Sequence, residues 1–166
     1  MLKRLLKHRW IDHGDVRRAL PLATEQALEA QVKASESHHS GEICICVEAG
    51  LPLSYLWKKL RARQRALTLF GKLRVWDTEA NNGVLIYLLL ADNAIEIVAD
   101  RGLNNRVSAE QWQGVVERLR EHLGQGRFQE GLHQAVLEVD RLLSEHFPLA
   151  PGQSNPNELQ DRVILL

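Results

Sequence analysis

Two apolar runs three residues apart constrain this chain more than any other feature. Gly83 to Leu90 is unbroken apolar and aromatic sequence, Ala91-Asp92-Asn93 is a tight connection, and Ala94 to Ala99 returns as a second run. The pair reads as an antiparallel hairpin. Glu42 to Glu48 is a further strand, in which Cys44 and Cys46 alternate with Ile43, Ile45 and Val47. Both of its faces are apolar, which is the pattern of a strand covered by helices on each side. A helical segment separates it from Gly83, so the right-handed crossover rule sets these two strands parallel. A layered α/β domain with a mixed sheet follows.

The helices can be placed by period and punctuation. Leu2, Leu5, Leu6 and Trp10 can share one face, with Lys3, Arg4, Lys7 and Arg9 opposite, ending near Asp12-His13-Gly14. Asp15 caps a short turn through Leu20, Pro21 breaks it, and Thr24 caps a helix from Glu25 to about His38 that Ser40-Gly41 stops. Tyr55 to Phe70 reads as one helix, and Leu73 to Trp76 as a short extended piece. A polar loop follows Gly102. Ser108 and Gln111 then have capping-box spacing for a helix buried through Trp112, Val115, Val116, Leu119 and Leu123. Phe128 to Phe147 is the last helix, terminated by Pro148. Beyond Pro151 the chain is loop-like, except that Val163 to Leu166 can add at a sheet edge or pack in a groove. These signals divide the chain into an N-terminal helical extension (1–23), an α/β domain (24–148) and a tail (149–166).

Composition excludes several classes. With 166 residues, 45% of them hydrophobic, the chain can bury one core. Its formal net charge of zero gives no overall basic field, and no aromatic residues interleave with its basic run, so nucleic acid is not expected as a partner. Cys44 and Cys46 point to one face of a strand and lack the further ligands of a zinc site, which makes them packing thiols of a reducing compartment. The leucines of the first ten residues are interrupted by cations, unlike a signal peptide, and no window is apolar enough to span a membrane. A cytoplasmic location is the expectation.

Standard catalytic motifs are absent: there is no phosphate-binding Gly-x-x-x-x-Gly-Lys loop, no Gly-x-Ser-x-Gly elbow and no His-Glu-x-x-His helix. What remains is oxygen-ligand chemistry. Asp77, Glu79, Asn82, Asp100, Asn104 and Asn105 flank one end of the hairpin, whereas Asp92 lies in the turn at the other. Carboxylate and amide oxygens suit calcium or magnesium. The same residue types cap turns and helices without any ligand, so both readings stand at this point.

Asn81-Asn82-Gly83-Val84-Leu85-Ile86-Tyr87, the return to Arg101-Gly102-Leu103, and Gly126-Arg127-Phe128-Gln129-Glu130-Gly131-Leu132 resemble the TPM domain family, which includes thylakoid lumen phosphatase-like proteins. The resemblance spans about Glu25 to Phe147. It implies a three-layer α/β/α sandwich around a small mixed β-sheet. It also implies a metal-dependent acid phosphatase, with a divalent cation, calcium or magnesium, near the strand-end loops; other members act as partners of membrane complexes. Asn81 stands where the family commonly has an acidic residue, and Asp100-Arg101-Gly102 replaces its Gly-x-Gly turn. On this reading Asp77, Asn82 and Asp100 hold the cation. Catalysis then rests on Asp77, Asp100 and Arg101, the arginine clamping phosphate.

The alternative is a non-catalytic interaction module, binding a protein complex or an anionic membrane surface through Lys58, Lys59, Arg61 and Arg65. The histidines show no ligand spacing. His38 and His39 end a helix, and His122, His133 and His146 fall on the last two, so surface or capping roles are expected for them.

Overall fold

Apolar sequence on both faces of the central strands dictates a sheet with helices above and below it. A computed structural model describes residues 2–166; Met1 and the side chain of Leu2, which the expected N-terminal helix includes, lie outside the described part. In chain order the elements are α1 (Leu2–Trp10), α2 (His13–Ala19), α3 (Leu22–Ser35), β1 (Glu42–Glu48), α4 (Leu53–Trp57), α5 (Ala62–Lys72), β2 (Gly83–Leu89), β3 (Ala94–Ala99), α6 (Arg101–Asn104), α7 (Ala109–Gly124), α8 (Phe128–His146) and β4 (Val163–Leu165). No helix among them is long and apolar enough to cross a membrane.

The four strands form one mixed sheet in the order β3-β2-β1-β4. β1 runs parallel to β2, Glu42 opposite Gly83, and β2 pairs antiparallel with β3, Val84 opposite Ala99. β4 adds parallel to β1 at Ile45 to Val47. Alternate residues feed two cores. Ile43, Ile45, Val47, Val84, Ile86 and Leu88 pack with Leu28, Val32, Leu119, Leu132, Val136 and Val139 of α3, α7 and α8. Cys44, Cys46, Leu85, Tyr87 and Leu89 pack with Leu56, Ala66 and Leu69 of α4 and α5. The sandwich is three-layered, α/β/α. Both cysteines are free and buried, and burial pushes the Cys44 thiol up to about 12.

Several boundaries differ from the sequence expectation. α3 begins at Leu22 because the Pro21 carbonyl accepts the N–H groups of Thr24 and Glu25; Thr24 instead lies buried and donates to Gln129 Oε1 at 3.2 Å. Asp12 rather than Asp15 caps α2, the two forming a capping box. The single helix expected over Tyr55 to Phe70 is two. Lys59 adopts a left-handed φ of 54°, and the helix restarts after Arg61, whose N–H donates to Gln64 Oε1 at 2.9 Å. No acidic residue occurs between Leu53 and Lys72 to offset the clustered cations at i,i+4 spacing. Leu73 to Trp76 is a turn, not an extended piece, closed by the Val75 N–H on the Phe70 carbonyl at 3.0 Å. The polar loop expected after Gly102 is helical at its start, α6 running from Arg101 to Asn104.

α1 is fastened to the hairpin turn at the far end of the sheet. Asp92 accepts from Arg4 Nη2 at 2.7 Å and from His8 Nε2 at 2.9 Å. Buried His8 takes the Leu51 N–H on its Nδ1 at 2.9 Å, which assigns the ring proton to Nε2. Burial works to raise the Asp92 pKa, but Arg4 and His8 outweigh it and hold the carboxyl below its ordinary value. A carboxylate with a depressed folded pKa contributes stability above its unfolded pKa of about 4, and that contribution is lost as pH falls through the folded value. Asp92→Asn should therefore cost about 1–2 kcal/mol at neutral pH. Urea unfolding from pH 7 downward should show the gap between wild type and variant closing only below about pH 4; a gap that is constant with pH would contradict this account.

Candidate functional site

Close backbone approach builds the opposite end of the hairpin. A Cβ on Gly102 would stand 2.5 Å from the Asn81 carbonyl oxygen and 2.7 Å from that of Ala80, so only glycine lets α6 sit this near the loop before β2. The Gly102 N–H donates to the Asn81 carbonyl at 2.9 Å, and Asn81 turns the loop with a left-handed φ of 52°. Thr78 is buried and takes the Asn82 N–H on its Oγ1 at 3.0 Å.

Asn82 and Asp100 thereby flank the β2–β3 pair, the Asp100 N–H donating to the Gly83 carbonyl at 2.9 Å. Asn82 is fully buried and donates from Nδ2 to Ser40 Oγ at 3.2 Å, while its Oδ1 is buried without a partner. Asp100 caps α6, its Oδ1 accepting the Arg101 N–H at 2.7 Å, and its Oδ2 is likewise buried and unpartnered. Leaving a buried oxygen unsatisfied is costly, so each of the two is a candidate ligand atom. Exposed Arg101 stands beside them, its Nε donating to Asn81 Oδ1 at 2.7 Å.

Of the residues singled out from sequence, Asn82, Asp100 and Arg101 lie at the same end of the β2–β3 pair. Asp77 joins another group: it pairs with Arg74 at 2.7 Å and lines a pocket with Glu158 and Leu159 of the C-terminal segment. Glu79 also faces that segment, its N–H donating to Glu158 Oε1 at 3.0 Å. One carboxylate oxygen and one carboxamide oxygen suit a hard cation that keeps water in its remaining positions.

Sequence reasoning missed Ser40, Thr78 and the neighbouring His39–Asp140 pair. His39 is not a surface or capping residue; it is wholly buried, with Nδ1 bonded to the Gly41 carbonyl at 3.0 Å and Nε2 facing Asp140 Oδ1 at 3.5 Å. Burial lowers its pKa despite the aspartate. The signal was the adjacency of His39 to the Ser40-Gly41 stop, which the helix boundary at Ser35 removes from the helix altogether. Arg65 corrects a second expectation. It faces the sheet, not solvent, and its guanidinium grips Glu48 through Nε and Nη2 at 2.9 and 2.6 Å.

A family model described as the TPM domain matches residues 15–142. This chain belongs to the TPM domain family. The solution structure of BA42 protein from the psychrophilic bacterium Bizionia argentinensis is similar to this TPM domain at a TM-score of 0.77 and 26% identity, over 89% of this chain and 95% of that one. The N-terminal domain of a protein from P. gingivalis matches at a TM-score of 0.60 and 24% identity, over 79% and 82% of the two chains, a likeness of fold. No curated protein matches the sequence. The TPM match includes every residue of the strand-end site and stops before the C-terminal segment that Asp77 faces.

Proposed function

We propose that this TPM domain binds a divalent cation, calcium or magnesium, through Asn82 and Asp100 and hydrolyses phosphate monoesters there. The observation that carries this reading is the pair of buried, unpartnered oxygens, Asn82 Oδ1 and Asp100 Oδ2, beside an exposed arginine. A cation in this position supplies Lewis acidity and an acidified water. Arg101, fixed at Nε by Asn81, keeps its terminal nitrogens for a phosphoryl group. Asn82 Nδ2 donates to Ser40 Oγ, and Oδ1 is the amide atom left without a partner. Asp77, paired with Arg74, would reach this site only by exchanging that partner.

Release of phosphate from p-nitrophenyl phosphate by metal-stripped protein, with calcium or magnesium restored, tests the reading. Asp100→Asn should abolish metal-dependent release, and Arg101→Ala should lower kcat/KM roughly 100-fold. Unchanged release in Asp100→Asn would refute it.

A second reading is favoured by one observation. Trp10 on α1 and Trp57 on α4 are 87% and 72% exposed, on two helices that pack together; α1 carries exposed Lys3, Lys7 and Arg9, and exposed Lys58, Lys59 and Arg61 follow α4. Exposed tryptophans among cations suit the headgroup layer of an anionic membrane. Binding to phosphatidylserine vesicles should fall with added salt and with Lys58→Glu/Lys59→Glu, and fail in Trp10→Ala/Trp57→Ala. Equal binding by these variants, or none by the wild type, would exclude the membrane role.

A further inference from the structure

A second group of oxygens lies outside the strand-end site, where the C-terminal segment crosses the start of β1. Glu36 follows the last turn of α3, Glu42 opens β1, and Asp161 precedes β4. The fold brings these three distant positions together, each offering a carboxylate oxygen within 4.8 Å of the others. The segment is held there by the Glu158 N–H on Glu42 Oε1 at 3.0 Å and the Val163 N–H on Glu29 Oε1 at 3.1 Å.

Among the described residues no cationic side chain pairs with this group: none of the three carboxylates takes part in a salt bridge, and the only cation acting on Glu36 is Lys33, at a distance. Glu36 is only 9% exposed, Glu42 1%, and Glu36 Oε1 is buried with no hydrogen-bond partner. Burial, then the hydrogen bond and charge of Asp161, push the Glu36 carboxyl up to about 8. Burial likewise raises Glu42 to about 7, against the backbone N–H groups of Glu158 and Leu159. Buried carboxylates take up a proton, pair with a cation or coordinate a metal, and here the cation is missing from the side chains around them.

We propose that Glu36, Glu42 and Asp161 are ligands of a calcium ion that fastens the C-terminal segment to the domain. Three carboxylate oxygens and no nitrogen or sulfur select a hard cation. Magnesium keeps most of its water shell and is held by one or two carboxylates, whereas calcium takes several carboxylate oxygens, so a group of three suits calcium. The site uses no residue of the Asn82–Asp100 pair, and either can fail without the other.

The full-length, metal-stripped chain titrated with calcium chloride tests this. At a hundred times the dissociation constant the unfolding midpoint should rise by roughly 5 to 10 °C. In the Asp100→Asn background, which removes the strand-end site, a calcium-dependent rise should remain, and adding Glu36→Gln or Asp161→Asn should abolish it. Glu36→Gln relieves repulsion, so its metal-free midpoint should equal or exceed that of the wild type. The proposal fails if calcium leaves the wild type unmoved, or if Glu36→Gln added to Asp100→Asn keeps the rise.

Discussion

Arg65→Ala should destabilise the protein by about 3–5 kcal/mol, because it strands a buried carboxylate. Glu48 is 3% exposed on β1 and accepts from Arg65 twice and from the Tyr87 hydroxyl at 2.6 Å. Burial would lower the Arg65 pKa, but Glu48 outweighs it and holds the guanidinium firmly charged. Burial and then the Glu48 charge drive the Tyr87 hydroxyl far above its ordinary range, so it remains a donor. With the guanidinium gone, one phenol is left to satisfy Glu48. Thermal unfolding should show a fall of roughly 10 °C for a chain of this size. The double variant Glu48→Leu/Arg65→Met, which removes both charges, should recover most of the loss, since an apolar pair of similar volume carries no desolvation cost. A single variant within about 1 kcal/mol of wild type would show that water reaches Glu48.

Gly83→Ala should be the second severe change, costing about 1–3 kcal/mol or more by overpacking. A Cβ there would lie 1.9 Å from the Val75 carbonyl oxygen and 3.0 Å from its carbonyl carbon. Val75 is fully buried, so the colliding atoms are backbone with nowhere to go. Relief requires moving the turn that leads into Thr78 and Asn82, and the strand-end site should be disordered along with it. Gly71→Ala is the control: an added Cβ meets nothing within 4 Å, and in α5 it should stabilise by about 0.5–1 kcal/mol. Chemical denaturation of the two variants should give opposite signs; equal effects would remove Val75 as the cause.

Local pattern made much of this fold readable. The continuous runs at Glu42 and Gly83 required cover on both faces, and the three residues after Leu90 fixed the antiparallel return. Ser108 and Gln111 form the capping box that their spacing implies. The break near Lys59 was not legible, because no glycine or proline marks it and a left-handed lysine is held by its surroundings. Arg65 looked like part of a solvated basic run, since its partner Glu48 sits on another element and only the packing of α5 on the sheet turns the guanidinium inward.

The candidate site divides the same way. Asn82, Asp100 and Arg101 could be placed at one end of the hairpin because two paired strands must end side by side, a consequence of register alone. Asp77 could not be placed, since the turn from Leu73 to Trp76 sends it toward Glu158 instead. His39 against Asp140, and Glu36 with Glu42 and Asp161, join residues that no period or spacing relates. By itself the sequence determined the layers, the strands and the residues at their ends, because periodicity and punctuation act through neighbours along the chain. Only the tertiary structure decided which carboxylates are paired and which are left buried together, because burial and charge act through space across elements distant in sequence.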